Sequence, residues 1–402
     1  MLKRIFSVLL VFGISHAVLC SAQLCTTTHT TDLFCLLPAA FRTPAQPFGA
    51  FYTPFGTELS QLPTAKPAGL VLAVEHGQLV PANETLGAIF SERAETIGPH
   101  RLLVSFGYQR FNFGSIDGTD LKDLPIVLTC STAACTGGIT GVTVYTVTSN
   151  RFDIKANQYT GLAVFGLTKN IDVSAAIPFE RIAMSVAVNG TEYSTQGAAS
   201  AGFQEYVPGS SLGFADVVVG AKWKAFDKAK IRLAPGVDVR IPSGDELNFL
   251  GSGTVGLKPY LAASVKEPVS VHGNIGFQWN GDSILNANAQ GAKQQLPTDF
   301  FYTAGANADV VKNRLMLIAD LLGQHYYDAP RLARPSTVSV PIVGNVLSVE
   351  PEVSAYTMNN FALGMKLRPF GHLILTGNAT FKLNSAGLRS TVVPLAGLAY
   401  SF

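Results

Sequence analysis

The strongest constraint on this chain is a two-residue alternation of apolar and polar side chains. In 269–280, Val269, Val271, Ile275, Phe277 and Trp279 share a face with Gly273. Ser270, His272, Asn274, Gly276, Gln278 and Asn280 occupy the other face. A period of two is the mark of a β-strand with one apolar face and one wet face. Segment 372–383 repeats it, with Leu373, Leu375, Ala379, Phe381 and Leu383 opposed to Ile374, Thr376, Asn378, Thr380 and Lys382. In 230–241, Ile231, Leu233, Val237, Val239 and Ile241 oppose Lys230, Arg232, Asp238 and Arg240. Twelve such segments run near 101–113, 152–166, 169–181, 212–226, 229–241, 253–266, 268–281, 299–311, 314–326, 356–368, 371–383 and 389–402. They are about 13 residues long, where soluble strands average about 5–6 and a tilted membrane-spanning strand needs about 9–11.

The connections alternate as well. Tight turns at Lys169-Asn170, Asp227-Lys228, Glu267-Pro268, Lys312-Asn313 and Pro369-Phe370-Gly371 are interleaved with longer links at about 114–151, 182–211, 242–252, 282–298 and 327–355. Short turns on one side and long loops on the other are the layout of an outer-membrane barrel. An even strand number puts both termini on the short-turn, periplasmic side. A soluble sandwich would also alternate, but here lysine, arginine and aspartate lie within strands opposite the apolar face, as a water-filled lumen requires. Tyr108, Trp223, Phe226, Trp279, Phe300, Tyr302 and Tyr400 gather near strand ends, where aromatic girdles sit. The fold expected is all-β: a transmembrane antiparallel up-and-down barrel of about 12 strands, with 101–402 as the barrel and 23–100 as an N-terminal extension.

Composition agrees. Charged residues make up 14% of the chain against about 25% in soluble domains. The net charge of +2 includes Lys3 and Arg4, which a removable leader would carry away, so no nucleic-acid partner is expected. Lys3-Arg4, the apolar run Ile5 to Ile14 and the small-residue end Cys20-Ser21-Ala22 form a secretory signal, with cleavage expected after Ala22. Leu precedes both Cys20 and Cys25, which disfavours a lipoprotein anchor. Cys25, Cys35, Cys130 and Cys135 then remain for the oxidising periplasm. Four cysteines allow three pairings; nearest neighbours, Cys25–Cys35 and Cys130–Cys135, are the pairing expected.

The end Leu398-Ala399-Tyr400-Ser401-Phe402 resembles the assembly signal of bacterial outer-membrane barrels, with Leu398, Tyr400 and Phe402 as its apolar positions. That implies the barrel assembly machinery as a partner, alongside outer-membrane lipid. The run Gly213-Phe214-Ala215-Asp216 through Lys222-Trp223 resembles a strand motif of the barrel family labelled "MetA-pathway of phenol degradation". Arg240-Ile241-Pro242-Ser243-Gly244-Asp245-Glu246 with Leu250-Gly251-Ser252-Gly253 is similar to that family's hairpin, with Ser243 where threonine is commoner, and Gly276 to Gly281 completes the match. The resemblance covers roughly residue 100 to the C-terminus and is most specific in 212–281. It implies transport of small, often aromatic or apolar, molecules and a distant likeness to outer-membrane transporters of long-chain fatty acids and hydrocarbons.

Residues 23–100 lack the alternation and are rich in proline. They read either as a periplasmic tail or as a plug in the lumen, with Ile89, Phe90, Arg93 and Glu95 forming a short docked helix. Larger barrels are often plugged, and an open lumen of this width would leak small solutes. The charges expected to line the lumen are Asp216, Lys222, Lys224, Lys230, Arg232, Asp238, Arg240, Lys258, Asp309, Asp320, Lys366 and Arg368. They read as a mutually compensated wall or as a basic constriction that guides a carboxylate or phenolate. In the second reading Lys222, Lys224, Lys230 and Lys366 ring the periplasmic exit.

Pro235 and Pro259 interrupt two hairpin partners. They mark either bulges or a weak lateral seam through which an apolar solute leaves the lumen. Ser243, Asp245, Glu246 and Asn248 offer oxygen ligands for calcium, but a solvated acidic loop is the simpler reading, and no metal site is expected. Catalysis needs a nucleophile, a base and an orienting group; here His272 and Ser270 share a face in a spacing that matches no hydrolase pattern. No phosphate loop, nucleotide fingerprint or metal cluster calls for a cofactor. The sequence thus predicts a porin-like barrel of a Gram-negative outer membrane, not an enzyme, that passes small apolar or weakly acidic solutes passively. The alternative is a structural or adhesive barrel whose loops bind an outside partner.

Overall fold

A computed structural model shows a strand in each of the twelve expected segments. The structure describes residue 25 and residues 32–41, 49–63, 72–75, 78–81, 90–131, 141–196, 201–228, 230–265, 269–288, 291–311, 314–369 and 373–400. The barrel strands are β1 (Leu102–Ile116), β2 (Val144–Gly166), β3 (Ile171–Ser194) and β4 (Ala201–Phe214, resumed as Val217–Trp223 and Phe226–Lys228). They continue as β5 (Ile231–Ile241), β6 (Gly256–Val265), β7 (Val269–Asn280) and β8 (Asp299–Val311). The last four are β9 (Leu315–Leu332), β10 (Pro351–Leu367), β11 (Leu373–Lys382) and β12 (Val392–Tyr400). Neighbours pair antiparallel in chain order, and β12 closes on β1 from Leu395↔Gln109 to Tyr400↔Val104. Closure removes the free sheet edges that lipid cannot satisfy.

The alternation turns the apolar face outward. Leu102, Val104 and Phe106 are exposed on β1 while Leu103, Ser105 and Gln109 are buried. On β7, Val269, Val271, Ile275, Phe277 and Trp279 are exposed, whereas Ser270, His272, Asn274 and Asn280 are buried. Tyr159, Phe214 and Trp279 stand toward the loop end of this apolar band, and Phe165, Trp223 and Phe226 toward the turn end. An apolar exterior over a polar interior is the arrangement of a barrel set in lipid.

Two expected loops are largely strand. Within 114–151 and 182–211, β2 begins at Val144, β3 runs to Ser194 and β4 starts at Ala201. The cause lies inside the barrel. Ile182, Met184, Val186 and Val188 are buried against a helical part of the N-terminal extension, so the extended strands have an apolar surface to cover. That part comprises Leu33–Cys35, α1 (Leu36–Phe41) and α2 (Gly49–Leu59). Helix α1 meets β3 and β4, and α2 meets β9 and β10, so both lie within the wall. Phe41, Phe55 and Leu59 are fully buried in the same cluster as Phe152, Phe249, Leu285 and Leu332. Burial of one such side chain is worth about 1.5–3 kcal/mol.

The same extension crosses the turn end. Residues 90–98 form an irregular strap, which corrects the expected short helix; Ile89 lies outside the described residues. The reason is competition for the backbone donors. Glu92 N–H donates to Asn274 Oδ1 at 2.7 Å, Ala94 N–H to Ser264 Oγ at 3.0 Å and Ile97 N–H to Asp172 at 3.1 Å. Those donors are therefore not available to an intrahelical ladder.

Cys25 and Cys35 are disulfide-bonded. Cys130 is also in a disulfide; Cys135, the leader 1–22 and Phe402 lie outside the described residues, as does the side chain of Tyr400.

Candidate functional site

Between the helices at the outer end and the strap at the periplasmic end, the lumen keeps a chamber of about 250 Å³. Phe111, Phe113, Tyr260, Phe301 and Tyr326 supply an aromatic wall, and Glu58, Glu92, Asp238, Lys258 and Arg389 supply charge. A second lobe of about 180 Å³ lies beside it. Gln61, Leu62, Pro63, Asp238 and Lys258 border both, so the chain leaving α2 forms the partition. Lys258 stands with its Nζ 4.0 Å from the centre of the Phe301 ring, close enough for a cation–π contact.

Glu58 keys α2 to the outer rim. Its carboxylate accepts Leu388 N–H at 2.7 Å and Tyr356 O–H at 3.0 Å. Burial pushes this carboxyl up to about 7, with the Asp117 charge adding to the rise; the two hydrogen bonds and Arg389 oppose it.

Of the charges assigned to the lumen from sequence, several are engaged by the strap. Lys222 donates to Arg93 carbonyl oxygen at 2.9 Å and lies 3.5 Å from Glu92 and 3.9 Å from Asp172. Arg232 pairs with Glu95 and Asp227, each at 3.0 Å. Burial by itself would raise the Glu95 carboxyl, but Arg93, hydrogen bonds to backbone and Ser264, and Arg232 hold it below the usual carboxylate range. Asp320 is buried and hydrogen-bonds His272 at 2.9 Å, so that histidine pairs across the sheet rather than with Ser270. Lys366 is fully buried on the same inward side.

The remaining charges sit elsewhere. Lys224 pairs with Asp227 at a turn, and Lys230 and Asp309 are exposed near turns, with Arg368 close by on the same rim. The four lysines thus do not form an open ring at the exit: Lys222 is half-buried against the strap, Lys366 is fully buried, and two stand at the rim.

Asp216 occupies the break in β4 and organises the hairpin between β5 and β6. It accepts Gly244 N–H at 3.1 Å and Ser252 N–H at 2.8 Å, accepts the Ser252 hydroxyl, and lies 3.7 Å from Arg240. A Cβ on Gly251 would sit 2.5 Å from the Asp216 carboxylate, so this approach requires glycine. Each of the four residues considered for calcium has a protein partner. Ser243 Oγ accepts Val217 N–H and donates to the Ala215 carbonyl. Asp245 caps Leu247, Glu246 meets Lys293, and Asn248 Oδ1 accepts Leu33 N–H at 3.1 Å. The motif hairpin therefore also holds the helical segment.

Pro235 faces Leu261, and Pro259 faces Val237, in an uninterrupted β5–β6 ladder. The gaps fall on the outer flanks. The β4–β5 register shifts by one residue beside Pro235, and the β6–β7 ladder skips Lys258 and Pro259. Each proline thus borders a pairing interruption, as its missing N–H requires.

Sequence reasoning missed Glu58, Gln61, Glu92, Asp172 and Asn274. Asn274 donates to the Glu92 carbonyl at 2.7 Å as well as accepting its N–H. Nothing periodic marks 49–63 or 90–98, and only the β7 alternation showed that Asn274 would face inward.

Residues 139–315 match the family model described as "Putative MetA-pathway of phenol degradation". This is the family read from the motifs. The matched segment contains the Asp216 hub, both prolines and Lys258. Among solved structures, an outer membrane channel from Pseudomonas putida F1 aligns at 13% identity over 77% of this chain and 98% of that one, with a TM-score of 0.48. A Pseudomonas aeruginosa FadL homologue aligns at 10% identity over 75% and 90%, with a TM-score of 0.31. A monoaromatic hydrocarbon channel aligns at 9% identity over 76% and 91%, with a TM-score of 0.36. No curated protein matches the chain. The protein is a closed twelve-stranded β-barrel with an apolar exterior and a polar interior, the build of a bacterial outer-membrane barrel.

Proposed function

We propose that this barrel is a plugged channel that passes small apolar or weakly acidic aromatic solutes passively, with 33–62 and 90–98 as the plug. One observation carries the reading: a chamber in the lumen whose wall is aromatic and whose cations Lys258 and Arg389 stand beside the carboxylates Glu58, Glu92 and Asp238. Such a lining suits a ring bearing one weakly acidic group, because most of a ligand's surface meets apolar wall while a few polar groups fix its orientation. The phenol pathway in the family's description involves solutes of that chemistry. The ion-paired strap favours a compensated lumen over a bare basic ring.

Conductance in planar bilayers, on the intact protein and on a form lacking 23–100, tests the plug. Closed when intact and conducting when shortened is expected. Conduction in both would make the barrel a general porin with a dispensable tail. Silence in both, with heat-dependent gel mobility showing a folded barrel, would favour the adhesive reading. The hairpin of Ser336–Val340 and Gly344–Ser348 supports that alternative, because it exposes Ile342, Val343 and Leu347. Uptake of benzoate against benzamide into liposomes then tests the preference for an acidic group.

A further inference from the structure

The outward surface is not uniformly apolar. Arg110 on β1, Arg151 and Lys155 on β2, and Arg181 on β3 all lie on the outward, exposed side of their strands. On the outward faces of the other nine strands the described residues include one further cation, Lys228, at a periplasmic turn. All four cations toward the outer end are therefore in one sector. Registers place three of them together, with Arg151 four residues beyond Lys155 on β2, about 13 Å further out. Arg110 and Arg181 both face Asn157, one from each side, and Lys155 lies one outward position further along β2. With strands about 4.8 Å apart, Arg110 and Arg181 are roughly 10 Å from each other at the backbone.

Their level in the membrane is fixed by neighbours. Below them on the same strands are Val104, Phe106, Val173, Ile177 and Phe165, all exposed and apolar. Tyr108 and Tyr159 stand directly beneath, with ring centres 5.0 Å apart, and the Tyr108 hydroxyl donates to Asn157 at 2.8 Å. The cations therefore begin where the outer aromatic girdle ends, at the depth of the outer-leaflet headgroups. An arginine on the lipid face costs about 2–4 kcal/mol at mid-bilayer but about 0–1 near an interface.

The sector also keeps its charge. Lys155 pairs with Asp153 at 2.9 Å, but no described carboxylate lies within ion-pair distance of Arg110, Arg151 or Arg181. Above the row, a groove of about 430 Å³ is bordered by Lys122, Arg151, Asn189 and Tyr206, with Glu205 as its acidic member. Across the barrel the matching row is neutral: Tyr302 on β8 donates to Asn359 on β10 at 2.8 Å. A girdle needs only such neutral partners, so the arginines call for another explanation.

We infer that the outward face of β1–β3 is a docking site for the phosphorylated headgroup of an outer-leaflet glycolipid. Guanidinium groups grip phosphate oxygens in pairs. Basic clusters at the edge of the hydrocarbon layer attract anionic lipid. The chain's own strand register sets the spacing.

The test uses full-length protein in detergent, with diphosphoryl lipid A and its dephosphorylated form as probes and native mass spectrometry as the readout. The wild type is expected to retain the phosphorylated lipid at least tenfold better than the dephosphorylated one. The combined variant Arg110→Gln, Arg151→Gln, Arg181→Gln should lose that preference, Lys228→Gln should keep it, and millimolar inorganic phosphate should not compete. Equal retention of the two lipids by the wild type overturns the site even if the triple variant does not fold. So does an unchanged preference in a folded triple variant. Competition by inorganic phosphate would overturn the lipid assignment in favour of a free-ion site.

Discussion

The same N-terminal extension is held at the two ends of the lumen in opposite ways. At the outer end, Phe41, Phe55 and Leu59 are buried among strand side chains like the core of a soluble domain. At the periplasmic end, the strap is held mainly through its backbone, by Asn274, Ser264, Asp172 and Lys222. Apolar closure is insensitive to salt and costly to open. Closure by hydrogen bonds and ion pairs has a smaller net stability and weakens with ionic strength. On the proposed reading of a plugged channel, the periplasmic end is therefore the one expected to open first.

The largest expected effect is at the apolar end. Phe41→Ala or Phe55→Ala should cost about 3–5 kcal/mol. Thermal unfolding of the plug, followed by protease access to 33–62, should shift accordingly; an unchanged profile would mean the helices are not a packed closure.

Next is Glu58. Its folded carboxyl titrates near 7 against an ordinary value of 4.5, so the folded form holds the proton more tightly than the released form. Docking stability should be complete below about pH 4.5 and fall as pH rises toward 7. The loss is about 3 kcal/mol at most, at about 1.36 kcal/mol per unit. Glu58→Gln should flatten that dependence, and an equal slope in both proteins would remove Glu58 as its source.

Asn274→Ala removes two bonds to the Glu92 backbone and leaves those groups unsatisfied, at about 1–3 kcal/mol. Brief openings in single-channel recordings should become more frequent. The smallest change is expected for Lys222→Met, about 0–1 kcal/mol for its partly exposed pair with Glu92. Its effect on opening frequency should shrink as salt is raised. If it equalled the Phe55 variant, the contrast between the ends would fail.

The barrel was legible because each spanning strand has to solve the same local problem, lipid on one side and a wet interior on the other. Segment 269–280 states that solution in its residues, and the twelve segments followed from it. The periplasmic strap was not legible. Its expected helix failed because Asn274, Ser264 and Asp172, which take its backbone donors, lie 75 to 182 residues away in the chain. The extended strands at 182–194 were misjudged for a related reason: their apolar row has no purpose until α1 is placed inside the wall.

The sequence by itself determined the all-β membrane barrel, its strand number and the sidedness of its turns, because alternation and turn residues act over a few neighbours. It also carried the motif around Asp216, though not the reason for it. Tertiary structure alone decided what fills the lumen, which charges are paired, and where the chamber lies. Those outcomes depend on which distant side chains converge when the last strand meets the first, and no local period records that convergence.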